Sequence, residues 1–140
     1  MQVLKIKIFF IACLSFSYSV NAEYKGKNII INSGIVSIEK NQNKVFFENG
    51  ISIKSDEFKI EADKATYDNL SKITTVFGNP ATIKSLAEDN LYAGSADLIT
   101  FTETNRVKLI GNAFIKFDDV NVSSKEIIFN AKDGKILSDK

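Results

Sequence analysis

Histidine and tryptophan are absent from this 140-residue chain, and cysteine, proline and arginine occur once each. Without histidine the chain lacks the commonest general base and the commonest zinc ligand. A Ser-His-Asp triad is excluded, and a zinc site nearly so. Cys13 has no internal partner for a disulfide. Arg106 is the only arginine, so bidentate phosphate clamps are scarce. Lysine and arginine number 18 against 17 acids. That balance argues against nucleic-acid binding, which needs a concentrated basic face.

What is present begins with a leader. Residues 1–22 read MQVLKIKIFFIACLSFSYSVNA. Lys5 and Lys7 form a positive start, and 8–16 form an apolar stretch too short to span a bilayer. Val20-Asn21-Ala22 puts small residues where a signal peptidase cuts. Residues 1–22 therefore read as a secretory signal peptide of the Gram-negative type, cleaved after Ala22, which implies the periplasm. Two rival readings remain. Phe10-Ile11-Ala12-Cys13 loosely matches a lipobox, which would lipidate Cys13, and an uncleaved anchor is the other. Cleavage removes two lysines and no acid, leaving 16 basic and 17 acidic groups.

From residue 23 onward, alternation of apolar and polar residues dominates, and no window sustains a helical period. Phe58, Ile60 and Ala62 alternate with Lys59, Glu61 and Asp63; Val107, Leu109, Ala113, Ile115 and Phe117 repeat the pattern. Turn signals separate the runs at Asn41-Gln42-Asn43, Glu48-Asn49-Gly50, Asp68-Asn69, Gly78-Asn79-Pro80, Glu88-Asp89-Asn90, Gly111-Asn112 and Lys132-Asp133-Gly134. The pattern repeats. NGISIK (49–54), GNPATIK (78–84) and GNAFIK (111–116) are followed by ADKATY (62–67), ADLITF (96–101) and SKEIIF (124–129).

In each unit the apolar parity flips between halves: Ile60 to Ala65, Ala96 to Ile99, Val122 to Ile127. A flip means an extra residue, hence a bulge or corner. Corners at matching places let the strands fold into two facing layers. The fold expected for 23–140 is all-β, a single domain of antiparallel β-jelly-roll or twisted two-sheet sandwich type, built from stacked repeats. Roughly a dozen short strands fit.

On GNPATIK, GNAFIK, IEADKATYD (60–68) and the leader, the chain resembles the LptA/OstA family of periplasmic lipopolysaccharide-transport proteins. The resemblance covers about residues 28–130. It implies a jelly roll whose apolar interior holds lipid acyl chains. It also implies lipopolysaccharide as ligand, an LptC-like inner-membrane partner, an LptD-like outer-membrane partner, and head-to-tail stacking of copies. It implies no enzyme and no cofactor.

The candidate lipid-lining residues are Ile53, Phe58, Ile60, Tyr67, Phe77, Ile83, Tyr92, Ile99, Phe101, Leu109, Ile115, Phe117, Val122 and Phe129. Phe46 and Phe47 are adjacent, so one faces inward; Phe47 with Val45 is the choice. The residues alone favour a sealed, dry core, as in a structural or interaction module; the family resemblance favours a core that opens along one side. An anchored LptC-like component and a small hydrolase are further alternatives, but no polar cluster supports the last. Lys54, Lys84 and Lys116 recur after isoleucine, either as a cationic ladder or as ordinary outward positions. Asp63, Asp97 and Lys125 hold matching repeat positions and read as equivalent turns. Edge strands are expected at Asn28-Ile29-Ile30-Ile31-Asn32 and at 125–131, the latter with or without 135–137 beyond it, so Ile29, Ile30, Ile31, Ile127 and Phe129 are candidates for edge-to-edge assembly; the alternative is a first edge covered by 23–27 or by the C-terminal tail.

Overall fold

A computed structural model describes residues 23–24, 29–88 and 91–137. The leader, with Cys13, and the Asp89-Asn90 turn lie outside the described residues. Nine strands follow one another: β1 Glu23–Tyr24, β2 Ile29–Glu39, β3 Lys44–Lys54, β4 Phe58–Ala62, β5 Lys64–Asp68, β6 Ile73–Ser85, β7 Ala93–Phe101, β8 Arg106–Phe117 and β9 Val120–Asn130. All pair antiparallel in a single sheet of order β1-β2-β3-β4-β6-β7-β8-β9. β5 continues the line of β4, pairing with the other halves of β3 and β6. The only helical piece among the described residues is a 3-10 turn at Lys40–Gln42.

One line of irregularity crosses the whole sheet. Each register shift leaves fewer residues on one strand than on its neighbour: Gly34 against 49–50, Asp97 against 78–80, 96–97 against 111–113, Lys125 against 111–112. Asp63, between β4 and β5, completes the line; its N–H donates to the Phe77 carbonyl and its own carbonyl accepts from Gly50. These bulges crease the sheet into two leaves. The upper leaf holds 29–33, 51–54, 58–62, 81–85, 93–96, 113–117 and 120–124; the lower leaf holds the remaining halves of the same strands.

The leaves face each other over one apolar interior. Phe58 of the upper leaf meets Phe101 of the lower with ring centroids 5.3 Å apart, and Tyr92 meets Phe129 at 4.9 Å. Both pairs are edge-to-face, the arrangement that aromatic quadrupoles favour. The two expected layers are thus halves of one sheet, and the expected dozen short strands are fewer, longer strands that bend.

Three expected turns are instead part of the crease. Glu48-Asn49-Gly50, Gly78-Asn79-Pro80 and Gly111-Asn112 lie inside β3, β6 and β8. Asn49 (φ 69°), Gly50 (φ 83°), Gly111 (φ 83°) and Asn112 (φ 49°) adopt the left-handed backbone. A tight turn and a bulge need that same conformation, so their residues look alike in sequence.

Candidate functional site: the interior between the leaves and its open end

Thirteen of the fourteen candidate lining residues share the interior. Ile53, Ile60, Ile99, Leu109, Ile115 and Phe129 are fully buried; Phe58, Ile83, Tyr92 and Phe101 nearly so; Tyr67, Phe117 and Val122 pack on them partly buried. Phe47 is buried and Val45 packs beside it.

Phe77 is the exception. It stands on the outer face with Lys64 Nζ 5.5 Å from its ring centroid, while Val76 and Thr74 point inward. The three extra residues 78–80 set this outcome. Counting back from Ile83 and Ala81 across an odd insertion brings Val76, not Phe77, to the inside.

β2 and β9 are the outermost long strands, as expected, with short segments beyond them. Ile29 and Ile31 are buried, and the backbone of Ile29 and Ile30 pairs with β1. Ile127 and Phe129 point into the core, and Phe129 forms a bridge to Ile136. Leu137 N–H donates to Ile128 O, and Asn130 N–H donates to Lys135 O. Short flanking segments therefore cover part of each edge, because an unpaired row of donors and acceptors gains hydrogen bonds from any adjacent chain. Among the described residues, the stretch of β2 with no strand beyond it is 31–39.

The rim opposite the crease closes from the C-terminal side. Tyr92 Oη donates to Ala131 O at 2.8 Å, a bond between the two leaves. Gly134, at φ 75°, sits so close that a Cβ there would lie 2.9 Å from the Phe117 ring. Burial first, and the negative field of Glu57 second, push the Tyr92 phenol above its ordinary pKa. Stability drawn from neutral Tyr92 is therefore complete below about pH 10 and declines as pH rises beyond it. Tyr92→Phe leaves the Ala131 carbonyl unpaired and costs about 1–3 kcal/mol at neutral pH. Urea melts of both proteins across the alkaline range check this, since the variant loses less stability there than the parent.

At the β2 end the interior is open. Val36 and Ile38 stand over Phe47 and Val45 in the β2–β3 register, facing inward, yet are 38% and 68% exposed. A cavity of about 220 Å³ lies there, lined by Ile38, Val45 and Tyr67 with Glu39, Lys40, Asn43, Lys44 and Asn69. Apolar side chains ringed by lysine and asparagine suit a ligand with a fatty body and a polar head. Val36 and Ile38 were absent from the expected lining. Their parity was legible only once Gly34 was known to be an extra residue.

Asp63, Asp97 and Lys125 hold equivalent positions in the crease, as their spacing implied. Asp97 Oδ2 accepts from Asn112 Nδ2 at 3.0 Å, which ties β7 to the β8 bulge. The role visible for this aspartate is to hold a bend.

The family model described as the LptA/(LptD N-terminal domain) LPS transport protein matches residues 18–135. The chain belongs to this family. Among solved structures it is similar to LptH of Pseudomonas aeruginosa, the LptA homologous periplasmic component of a conserved lipopolysaccharide transport device. The superposition has a TM-score of 0.69 at 14% identity and covers 81% of this chain and 83% of that one. At that identity the likeness is one of fold, an antiparallel jelly-roll sheet. No curated protein matches the chain in sequence.

Proposed function

We propose that this member of the LPS transport family carries lipopolysaccharide across the periplasm, its acyl chains held between the two leaves. The observation that carries the reading is the open end: inward-facing Val36 and Ile38, left uncovered at one end of an otherwise closed apolar interior. An acyl chain entering there meets Val45, Tyr67 and Phe47 first. It reaches the deeper candidates, such as Ile60 and Leu109, as the leaves part along the rim. A buried CH₂ is worth roughly 0.8 kcal/mol, so a chain of about a dozen carbons supplies up to roughly 10 kcal/mol before ordering costs. No charged clamp and no catalytic group is required.

In this reading residues 1–22 export the chain and 23–140 form the carrier domain. Copies, or LptC-like and LptD-like partners, add to the β2 and β9 edges to extend a bridge. N-terminal sequencing of the exported protein tests the leader, with Glu23 as the expected first residue.

A second reading, an interaction module with a sealed core, draws support from the full burial of the deep residues and the Tyr92 clasp. Lipopolysaccharide titrated into the purified chain with a bound hydrophobic dye separates the two. Saturable displacement is the carrier's result; absence of displacement leaves the sealed module.

A further inference from the structure

Residues 131–137 leave the lower leaf at the end of β9, touch the upper leaf, and return along the β9 edge. Gly134 is the point of contact: a Cβ built there would lie 2.9 Å from the Phe117 ring and 3.5 Å from the Tyr92 ring. Ile136 then bridges to Phe129. The segment therefore spans both leaves at the β9 end of the rim. Against it stand Tyr92, Phe117 and Phe129, with the Tyr92 ring centroid 6.3 Å from that of Phe117 and 4.9 Å from that of Phe129. Among the described residues no segment spans the leaves at the β2 end, where Val36 and Ile38 are exposed.

Backbone, more than side chains, holds the segment in place. Its buried members are Ala131 and Gly134, which bring one methyl group and no side chain. Lys132, Asp133 and Lys135 are exposed, and Ile136 is 49% exposed. The fastenings are hydrogen bonds. Tyr92 Oη donates to Ala131 O, and the N–H groups of Ala131, Gly134 and Leu137 donate to the carbonyls of Asn105, Asn130 and Ile128. A segment with so little apolar burial opens at a lower free energy than the core it covers. β8 is the contrast: Val107, Leu109 and Ile115 are fully buried, and the strand is paired on both sides.

We propose that 131–137 is a strap that gates the β9 end of the interior. It releases as a unit while β2 to β9 stay paired, and its release uncovers Tyr92, Phe117 and Phe129 to an apolar chain. With the strap closed, the interior is a pocket with one mouth, at β2. With the strap open, it is a groove with two. The carrier reading supplies only the identity of what passes, an acyl chain; the gate itself rests on this segment. Closure requires glycine at 134. Its φ is +75°, and any side chain there would meet the Phe117 ring.

Native-state hydrogen exchange at increasing urea tests the release. The amides of Ala131, Gly134 and Leu137 are expected to exchange through an opening that depends little on urea. Their protection is expected to be lower than that of the β8 amides by about a hundredfold. One steep urea dependence shared by the strap and β8 means that they open only together, and overturns the proposal. Gly134→Val forces the strap off Phe117 and is expected to leave its amides unprotected. β8 protection then falls by no more than the protection the parent strap had, because the strands do not need the strap. A larger fall overturns the proposal as well.

Uptake of the neutral dye N-phenylnaphthylamine tests the gate. It is followed in a chain carrying Val36→Glu and Ile38→Glu, so that the β2 mouth does not compete. Adding Tyr92→Phe removes the bond to Ala131 without adding bulk. It is expected to speed uptake about tenfold, the gain in open strap when one hydrogen bond is lost. Gly134→Val is expected to speed uptake at least as much, and Tyr92→Phe serves alone should that variant fail to fold. A released strap with unchanged uptake overturns the gate in favour of simple fraying. Neither measurement uses lipopolysaccharide, so failure of the gate and failure of the carrier reading are told apart.

Discussion

Val36→Glu combined with Ile38→Glu abolishes dye displacement by lipopolysaccharide and leaves the chain folded. Both side chains face inward at the open end, and their exposure means little native packing is lost. Exposed positions of this kind usually change stability by no more than about 0.5 kcal/mol. A bound acyl chain would bury them. Fully burying a Val or Ile is worth about 1.5–3 kcal/mol, so two partly exposed ones forfeit roughly 2 kcal/mol of binding. Two carboxylates at the mouth add a desolvation penalty of several kcal/mol. The affinity falls by well over tenfold. Unchanged displacement by the variant would mean that lipid enters elsewhere, and the open end would lose its meaning.

Gly94→Val is expected to unfold the protein or bring it close to unfolding. Gly94 lies on β7 inside the upper leaf. A Cβ there would stand 2.8 Å from the carbonyl oxygen of Phe114 and 3.2 Å from Leu109 Cδ1. The carbonyl belongs to the paired neighbouring strand, so backbone must move. Overpacking of this kind costs about 3 kcal/mol or more. Gly50 is the useful contrast. Its φ is +83°, but nothing lies within 4 Å of a Cβ built on it. Gly50→Ala therefore suffers only left-handed backbone strain, about 1–2 kcal/mol. Urea midpoints of the two variants measure the difference between steric and conformational cost; a midpoint for Gly94→Val near the parent's would show that β7 and β8 shift freely.

The all-β fold was legible because strand alternation is a local signal and this chain carries it in nearly every run. The crease was half legible. Where one extra residue interrupts a strand, as at Asp97 or Lys125, the apolar parity flips and the bend can be read. Where two do, as at 49–50 and 111–112, parity is restored: Phe47 and Ile51 share a parity, as do Leu109 and Ala113. Those bends therefore passed for turns.

Phe77 was misplaced because 78–80 read as a turn, whereas these three residues are an insertion within β6 that reverses the parity before it. The cover on each edge was not legible for another reason. Whether β1 and the 135–137 segment cover an edge depends on chain reversal, which local alternation does not encode. The open end depends on what stands beyond β2 among the described residues, and no single strand's sequence records that.

The crease also fixes how copies of this chain can be joined. Between β2 and β9 the strand lines alternate in direction, and with β4 and β5 forming one line they number seven. An odd number means that β2 and β9 run the same way. Two copies related by simple translation would thus offer like polarity at their seam, and a direct β9-to-β2 junction would be a parallel one. The short flanking segments reverse this. β1 runs against β2 along the upper leaf, and the residues around Ile136 run against β9 along the lower leaf. In the upper leaf the seam then falls between β9 and β1, in the lower between the 135–137 segment and β2, and both contacts are antiparallel. Each leaf supplies its own polarity adaptor, one just before β2 and one just after β9.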